Sequence, residues 1–345
     1  MTSQQNHRRE NDAAPRRGEA TTLLCDSVIR DSRLFARQLW MLPTDSRHVI
    51  LPLPTPSSIM RCDLELLSRM PYLVSFKSDG VRSILLFGFV PGSGDRYAVY
   101  IARNGRVSAA PPGLQVSSED DDDPMFQGTL LDGEIMENGD FVVFDLVAVD
   151  GESCLTQSLS KRLELAQKVV ERIGSSSIRV KVFVPATEAE KLFENFDKNC
   201  PTDVDGIVLA PENDSVGLGR LVRYFKLKAP SQNTIDLLWR PKEALLQCGA
   251  PGNELVEEAI RGVFWSVADF GDEGIYECCI TTRSDVAEPF EHLVLTPKAA
   301  RHDKEQANSK FVVCRTVQNL VEGLTGAEVF KAITATDQFA SQSQF

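Results

Sequence analysis

A lysine stands where an apolar, strand-prone run breaks into a turn. Leu73, Val74 and Phe76 lead into Lys77-Ser78-Asp79-Gly80, and Ile84-Leu85-Leu86-Phe87 then resumes the apolar pattern. The stretch reads as two β-strands joined by a tight polar turn. It constrains the chain because the lysine lies at the mouth of a buried layer. Apolar walls disfavour an ammonium and a neighbouring acid can position the amine, as covalent chemistry at a lysine requires. An ordinary hairpin with a solvated lysine has the same local pattern, so the rest of the chain has to decide.

At 345 residues the chain exceeds the usual limit of one core, and two domains are expected. Phe141–Val149 is apolar but interrupted by Asp145, which suits a buried strand; no run reaches membrane-spanning length. The N-terminus lacks the apolar core of a secretory signal, so cytosol or nucleus is expected. Eight cysteines are scattered without a Cys-x-x-Cys pair and with four histidines beside them, which argues against a zinc site or a disulfide framework. The net charge of −12 argues against non-specific coating of nucleic acid. It leaves room for an enzyme with local positive charge in a cleft.

Residues 1–20 lack periodicity and read as a disordered tail, with Arg8, Arg9, Arg16 and Arg17 solvated. Helical spacing predicts one or two helices over 22–39, then an extended Pro-rich segment at 51–56 and a short helix at 63–70. A strand over 97–101 precedes the hairpin turn Arg103-Asn104-Gly105-Arg106, and the acidic run from Glu119 to Asp123 reads as a solvated loop. The strand over 129–136 carries Asp132-Gly133-Glu134 at its end. In Phe141–Val149, Asp145 is expensive unless paired or bound to a cation. A helix over 160–173, a strand over 180–184 and a helix over 187–196 capped by Thr187 follow.

In Tyr224-Phe225-Lys226-Leu227-Lys228, alternation puts both lysines on one face of a strand; they are tolerated there if the face meets solvent or binds an anion such as phosphate. Ala229-Pro230-Ser231-Gln232 reads as a domain junction. Short strands over 234–239, 262–270, 274–282 and 310–315, with helical segments at 253–260 and 327–334, suit a small barrel of the oligonucleotide-binding type. A dense charged segment lies at 301–308, and the tail after 336 is polar and frayed.

Taken in order, Lys77-x-Asp79-Gly80-x-Arg82, Arg103, Asp132-Gly133-Glu134, Phe144-Asp145, Asp205-Gly206, Lys226-x-Lys228 and Arg301-x-Asp303-Lys304 resemble the motif series of the covalent nucleotidyltransferases. Within that superfamily the chain looks most like the mRNA capping guanylyltransferases, to which the approach segment Leu53-Pro54-Thr55-Pro56 with Leu64-Glu65-Leu66-Leu67 is also similar. The likeness runs over about 52–315. Two departures are a missing tryptophan and basic cluster over 286–300, and Leu227 where capping enzymes tend to place Trp.

The resemblance implies an α+β fold: a nucleotidyltransferase domain with antiparallel sheets and helices over 21–229, then an OB-fold β-barrel over 230–335, with tails at 1–20 and 336–345. It implies that Lys77 attacks the α-phosphate of GTP, expels pyrophosphate and holds GMP as a phosphoramidate, which the 5′-diphosphate end of an RNA then takes as its cap. In that reading Lys77 is catalytic. Arg82, Arg103, Glu134, Phe144, Lys226, Lys228, Arg301, Asp303 and Lys304 bind the nucleotide, with Arg103 and Glu134 at the ribose and Phe144 stacked on guanine. Glu134 and Asp205 hold Mg²⁺ or Mn²⁺, hard ions suited to carboxylate oxygens. The partners implied are an RNA triphosphatase, a cap methyltransferase and the RNA polymerase II tail. The place implied is the nucleus, with cytoplasm as the alternative and no membrane. An ATP-dependent polynucleotide ligase shares these motifs but typically carries Glu where this chain has Asp205. A non-catalytic nucleic-acid-binding module is a third reading, disfavoured because every charged position the chemistry needs is present.

Overall fold

Tyr72–Ser78, the strand that carries the lysine, and Val81–Phe89, the strand that follows it, belong to different sheets. Asp79 and Gly80 hand the chain from one sheet to the other. A Cβ at Gly80 would sit 2.9 Å from the Ile135 carbonyl oxygen and 3.1 Å from Glu134 Cβ, so glycine lets the turn press against the end of the neighbouring strand. The computed structural model describes residues 24–43, 53–110, 114, 123–199, 204–249, 255–260, 262–282, 293–302 and 304–335. The expected terminal tails, Glu119 to Asp122 of the acidic run, and Asp303 lie outside the described residues.

The fold is mixed α and β, with three sheets. The first has the order Thr55–Ser58, Arg220–Leu227, Val204–Pro211, Tyr72–Ser78, Val184–Pro185 and is antiparallel except at its first pair. Period-two alternation assigns its faces. Val74, Ile207, Leu209 and Phe225 pack against Phe193 and Phe196 of the helix Glu190–Asn199, whereas Leu73 and Ala210 face Leu159 of the helix Leu159–Ile173. Lys77 shares the parity of Leu73 and so belongs to that second face.

The second sheet runs Val107–Ala109, Arg96–Ala102, Val81–Phe89, Thr129–Ile135, Phe141–Val149, Glu152–Ser153, with Ile178–Val180 parallel to Phe141–Val149. Ile84, Leu85, Leu86 and Phe87 are all 0% exposed, because both faces are covered. Leu85 and Phe87 join the helix Leu159–Ile173, while Ile84 and Leu86 join Ala36 and Leu39 of the helix Asp26–Leu39. Each such side chain contributes about 1.5–3 kcal/mol by leaving water.

The third sheet, Leu245–Gln247, Thr234–Arg240, Gly274–Thr282, Leu293–Ala300, Val263–Trp265, surrounds a core with Trp239, Val313 and Val317. Residues 310–315, expected as a strand, open the helix Lys310–Glu322. Phe311-Val312-Val313 has strand composition, but Val313 and Val317 lie one turn apart on a buried stripe, and Gly323 closes the helix with φ +55. The next helix, Gly326–Thr334, does not stay with this sheet: Val329 and Ile333 enter the core of the first sheet, and Asp197 accepts hydrogen bonds from Gly326 N and Ala327 N at 2.8 and 3.0 Å. The chain thus returns from the third sheet to the core of the first.

Two further expectations change. The strand over 180–184 is interrupted at Lys181, Val182 and Phe183, between Ile178–Val180 and Val184–Pro185, which pair with different sheets. Thr187 lies inside a 3₁₀ turn, Ala186–Glu188, and the α-helix starts at Glu190.

Gly206 has φ +123, and a Cβ there would stand 2.2 Å from the Leu227 carbonyl oxygen. Gly206→Ala is expected to cost at least about 2 kcal/mol in urea unfolding, from backbone strain plus a rigid clash. Gly139→Ala, at φ +88 but with no atom within 4 Å of the new Cβ, is expected to cost about 1 kcal/mol. Equal losses at the two positions would contradict the close approach of Val204–Pro211 to Arg220–Leu227.

Candidate active site

The pairing of three strands brings Lys77, Asp205 and Lys228 together. Val204 lies opposite Ser78, and Ile207 opposite Leu227, so the ends carrying these residues coincide. Lys77 Nζ donates to Asp205 Oδ2 at 2.9 Å and Lys228 Nζ to Asp205 Oδ1 at 2.5 Å. Lys77 Nζ also donates to the Ser78 carbonyl oxygen at 3.2 Å. Burial raises the Asp205 carboxyl, but the charges of Lys77 and Lys228 outweigh it and hold the group below its ordinary range. One carboxylate between two ammonium groups leaves the site net positive, which suits a phosphate. Lys226, half-buried, lies opposite Val208 in the same sheet.

The second sheet supplies the facing groups. Glu134 lies opposite Arg82 in the ladder. Its Oε2 is buried with no hydrogen-bond donor, and Lys181 Nζ stands 4.0 Å away. Burial raises the Glu134 carboxyl, against the opposing pull of Lys181, Lys77 and Arg82. Lys181 projects from the connection between the sheets; its Nζ donates to Ser78 Oγ at 2.8 Å and lies 5.9 Å from the Phe144 ring centroid. Burial pushes the Lys181 ammonium down to about 8, with Glu134 resisting and Lys77 adding to the shift.

An orphaned buried carboxylate oxygen is a fitting ligand for a hard cation, whereas both oxygens of Asp205 are engaged by ammonium groups. Among the described residues no three His, Cys, Asp or Glu side chains converge. A cation here would draw its remaining ligands from water and phosphate oxygens, the usual arrangement for Mg²⁺.

Arg82, expected at the nucleotide, has its donors engaged within the protein. Nε and Nη2 form a fork with Asp132 at 3.0 and 2.5 Å, and Nη1 donates to the Pro54 carbonyl oxygen. Its guanidinium carbon lies 5.0 Å from the Phe144 centroid. Asp145 receives a second fork, from Arg162 Nε and Nη2 at 2.6 and 3.0 Å, which answers the cost of a charge in an apolar strand. A cavity of about 410 Å³ is lined by Arg82, Asp132, Phe144, Asp145, Arg162 and Tyr224 among others; Lys77, Glu134 and Asp205 are not in its lining, so it adjoins the ring rather than the lysine.

The structure thus gathers Lys77, Asp205 and Lys228 at the coinciding ends of three adjacent strands of the first sheet, and Arg82, Glu134 and Phe144 on the other sheet. Arg103 lies exposed in the turn after Arg96–Ala102. Arg301 and Lys304 lie in the third-sheet region, where Arg301 Nη1 donates to Asp236 Oδ1 at 3.2 Å and Lys304 pairs with the other oxygen. Sequence reasoning missed Lys181, Arg162 and Asp236, and it named Asp132 only within its motif, without its fork to Arg82. A signal existed for Arg162, a charged residue in the buried helix stripe of Leu159, Ala166, Val169 and Val170. Lys181 carried none, because a cation in a short connection reads as solvated.

A family model described as mRNA capping enzyme, catalytic domain, matches residues 39–230. The mRNA-capping enzyme subunit alpha of Neurospora crassa is 28% identical over 218 residues, covering 56% of this chain and 54% of that protein. An mRNA-capping enzyme of African swine fever virus is 27% identical over 200 residues, covering 54% of this chain and 21% of that protein. The chain therefore spans between about a fifth and about a half of these relatives' length. Among solved structures, an ATP-dependent DNA ligase from bacteriophage T7 in complex with ATP aligns at 13% identity with a TM-score of 0.39, covering 72% of this chain and 82% of that one.

Lys181 is cationic below about pH 8 and neutral above it, so contacts it makes with anions or acceptors weaken as pH rises from 7 to 9. NMR titration of labelled lysine side chains is expected to give it a midpoint near 8. Glu134→Gln removes the charge that resists the shift and is expected to move the midpoint lower. An ordinary surface-lysine midpoint in the wild type, or a rise in the variant, would contradict the buried pairing.

Proposed function

The chain belongs to the mRNA capping enzyme family through its catalytic domain, and on that premise we propose that it is a guanylyltransferase acting through Lys77. The observation that carries the reading is the bridge Lys77–Asp205–Lys228: an amine nucleophile held in a net-positive, partly buried cluster. Lys77 Nζ, after giving up a proton, attacks the α-phosphorus of GTP. The N–P bond forms as the bond to the bridging oxygen breaks, and pyrophosphate leaves. A terminal oxygen of the 5′-diphosphate RNA then attacks the same phosphorus, the N–P bond breaks and Lys77 recovers its proton.

The other residues position and neutralise. Lys228 and Lys226 offset charge on the phosphates, and Asp205 keeps Lys77 aimed between them. Glu134 would hold a Mg²⁺ or Mn²⁺ ion through its unpartnered Oε2, and Asp205 would join it only with an oxygen that Lys77 or Lys228 releases; when bound, such a cation supplies further charge neutralisation at the phosphates. Phe144 offers its ring to the base, with Arg82 and Asp132 fixing the ring rather than the nucleotide. Lys181, near that ring, can donate to the acceptor edge that guanine presents at N7 and O6, where adenine presents a donor at N6; this favours GTP over ATP. Arg103 is assigned to the ribose. We read the third-sheet region as the OB-fold module, with Arg301, Asp303 and Lys304 reaching the pyrophosphate when that module closes over the cleft. The same reading places the protein in the nucleus, with an RNA triphosphatase, a cap methyltransferase and the RNA polymerase II tail as partners. Among the described residues no helix is long and apolar enough to cross a membrane.

The test is covalent labelling. The protein is incubated with Mg²⁺ or Mn²⁺ and with GTP or ATP labelled at the α-phosphate, then resolved by denaturing electrophoresis. Label from GTP, lost in Lys77→Ala, is expected, and the label should transfer to 5′-diphosphate RNA. Label from ATP alone would assign a ligase, and no label from either nucleotide would assign a binding module.

A further inference from the structure

Phe144 is the extra residue of a β-bulge. Asp132 lies opposite Asp145 and Gly133 opposite Val143, so Phe144 has no partner across the ladder. A bulge re-aims a side chain at the cost of an interrupted ladder, and something has to hold it in one register. Two guanidinium forks flank this one. On the partner strand, Arg82 grips Asp132. On the bulged strand, Arg162 grips Asp145, whose Oδ1 also accepts from Leu146 N at 2.8 Å. Arg162 is 4% exposed, and its Nη1 donates besides to the carbonyl oxygens of Gln157, at 2.5 Å, and Asp214, at 3.1 Å. Four acceptors converge on one buried guanidinium.

A buried ion pair is poor evidence for stability, because desolvation offsets its attraction; its better-attested use is to fix geometry. The helix Leu159–Ile173 already packs on Phe141–Val149 through Ala166, Val169 and Val170, so Arg162 is not needed to attach it. We infer that Arg162 is a positioning residue for nucleotide binding: through Asp145 it locks the bulge that presents Phe144, and so sets the affinity for the purine base without touching the nucleotide. The inference rests on the reading of Phe144 as the base-stacking ring.

The full-length protein tests it by covalent labelling with α-labelled GTP, measuring KM and maximal rate, together with inhibition by tripolyphosphate, which carries phosphates but no base. Arg162→Gln is expected to raise KM for GTP about tenfold while the maximal rate changes less than about twofold. Tripolyphosphate inhibition should stay unchanged, and Arg162→Lys, which keeps the charge but not the fork, should recover part of the loss. In a Phe144→Leu background Arg162→Gln should add less than about twofold, because the two residues act as one unit. If Arg162→Gln fails to fold, the neutral pair Asp145→Asn with Arg162→Gln replaces it in the same cycle. An unchanged KM, a loss confined to the maximal rate, or a full additive loss in the Phe144→Leu background would each overturn the positioning role. A wild-type protein that takes no label from GTP would instead sink the guanylyl-transfer reading and this inference with it.

Discussion

One carboxylate holds the site together. Asp205 is shared by Lys77 and Lys228 across three strands, at 2.9 and 2.5 Å. Without it two ammonium groups would face each other in a half-buried cleft, and the strand ends would carry uncompensated like charge. With it, the first sheet can end in two lysines and still close. The glycine beside it permits the close strand approach, since its φ of +123 and the space at Leu227 exclude a side chain. The Asp205-Gly206 pair is therefore both an electrostatic bridge and a backbone contact.

The second sheet solves a different problem. Both of its faces are covered, so it has nowhere to solvate a charge, yet it carries Asp132, Asp145 and Glu134. Asp132 and Asp145 are each matched to an arginine fork, and removing one member of such a pair typically costs about 3–5 kcal/mol because a buried charge is left alone. Glu134 is treated otherwise: an oxygen without a donor and a carboxyl raised by burial mark it as the unsettled acid. Perturbed and incompletely satisfied groups collect at functional sites, and here they collect beside the lysine.

Arg301 and Lys304 show how the same residue types serve elsewhere. They converge on Asp236, which is 9% exposed in its side chain, and that pairing orders the segment after Leu293–Ala300. The chain then returns through Lys310–Glu322 to the first core, where Arg315 donates to the Ser58 carbonyl oxygen at 2.9 Å and Asn319 Nδ2 to that of Ile59 at 2.7 Å. The helix belongs to two cores at once, with Val313 and Val317 on one side and these polar contacts on the other.

By itself the sequence determined the elements with strong periodicity and the ordered series of charged motifs: the lysine turn, the strand Phe141–Val149 with Asp145 inside it, the helix ending at Ile173, and the two lysines near 226–228. Burial leaves a period in the chain, and chemistry leaves residue types at fixed spacings, so both are legible locally. The helix at 310–322 was misread because a β-branched run favours a strand until a distant core claims its stripe. What tertiary structure alone decided is pairing: that the lysine turn joins two sheets, that Asp205 serves two ammonium groups, that Arg82 is engaged by Asp132 and Pro54, and that Lys181 enters the cleft. These contacts join residues far apart in the chain, and their free energy depends on geometry and desolvation that no local pattern records.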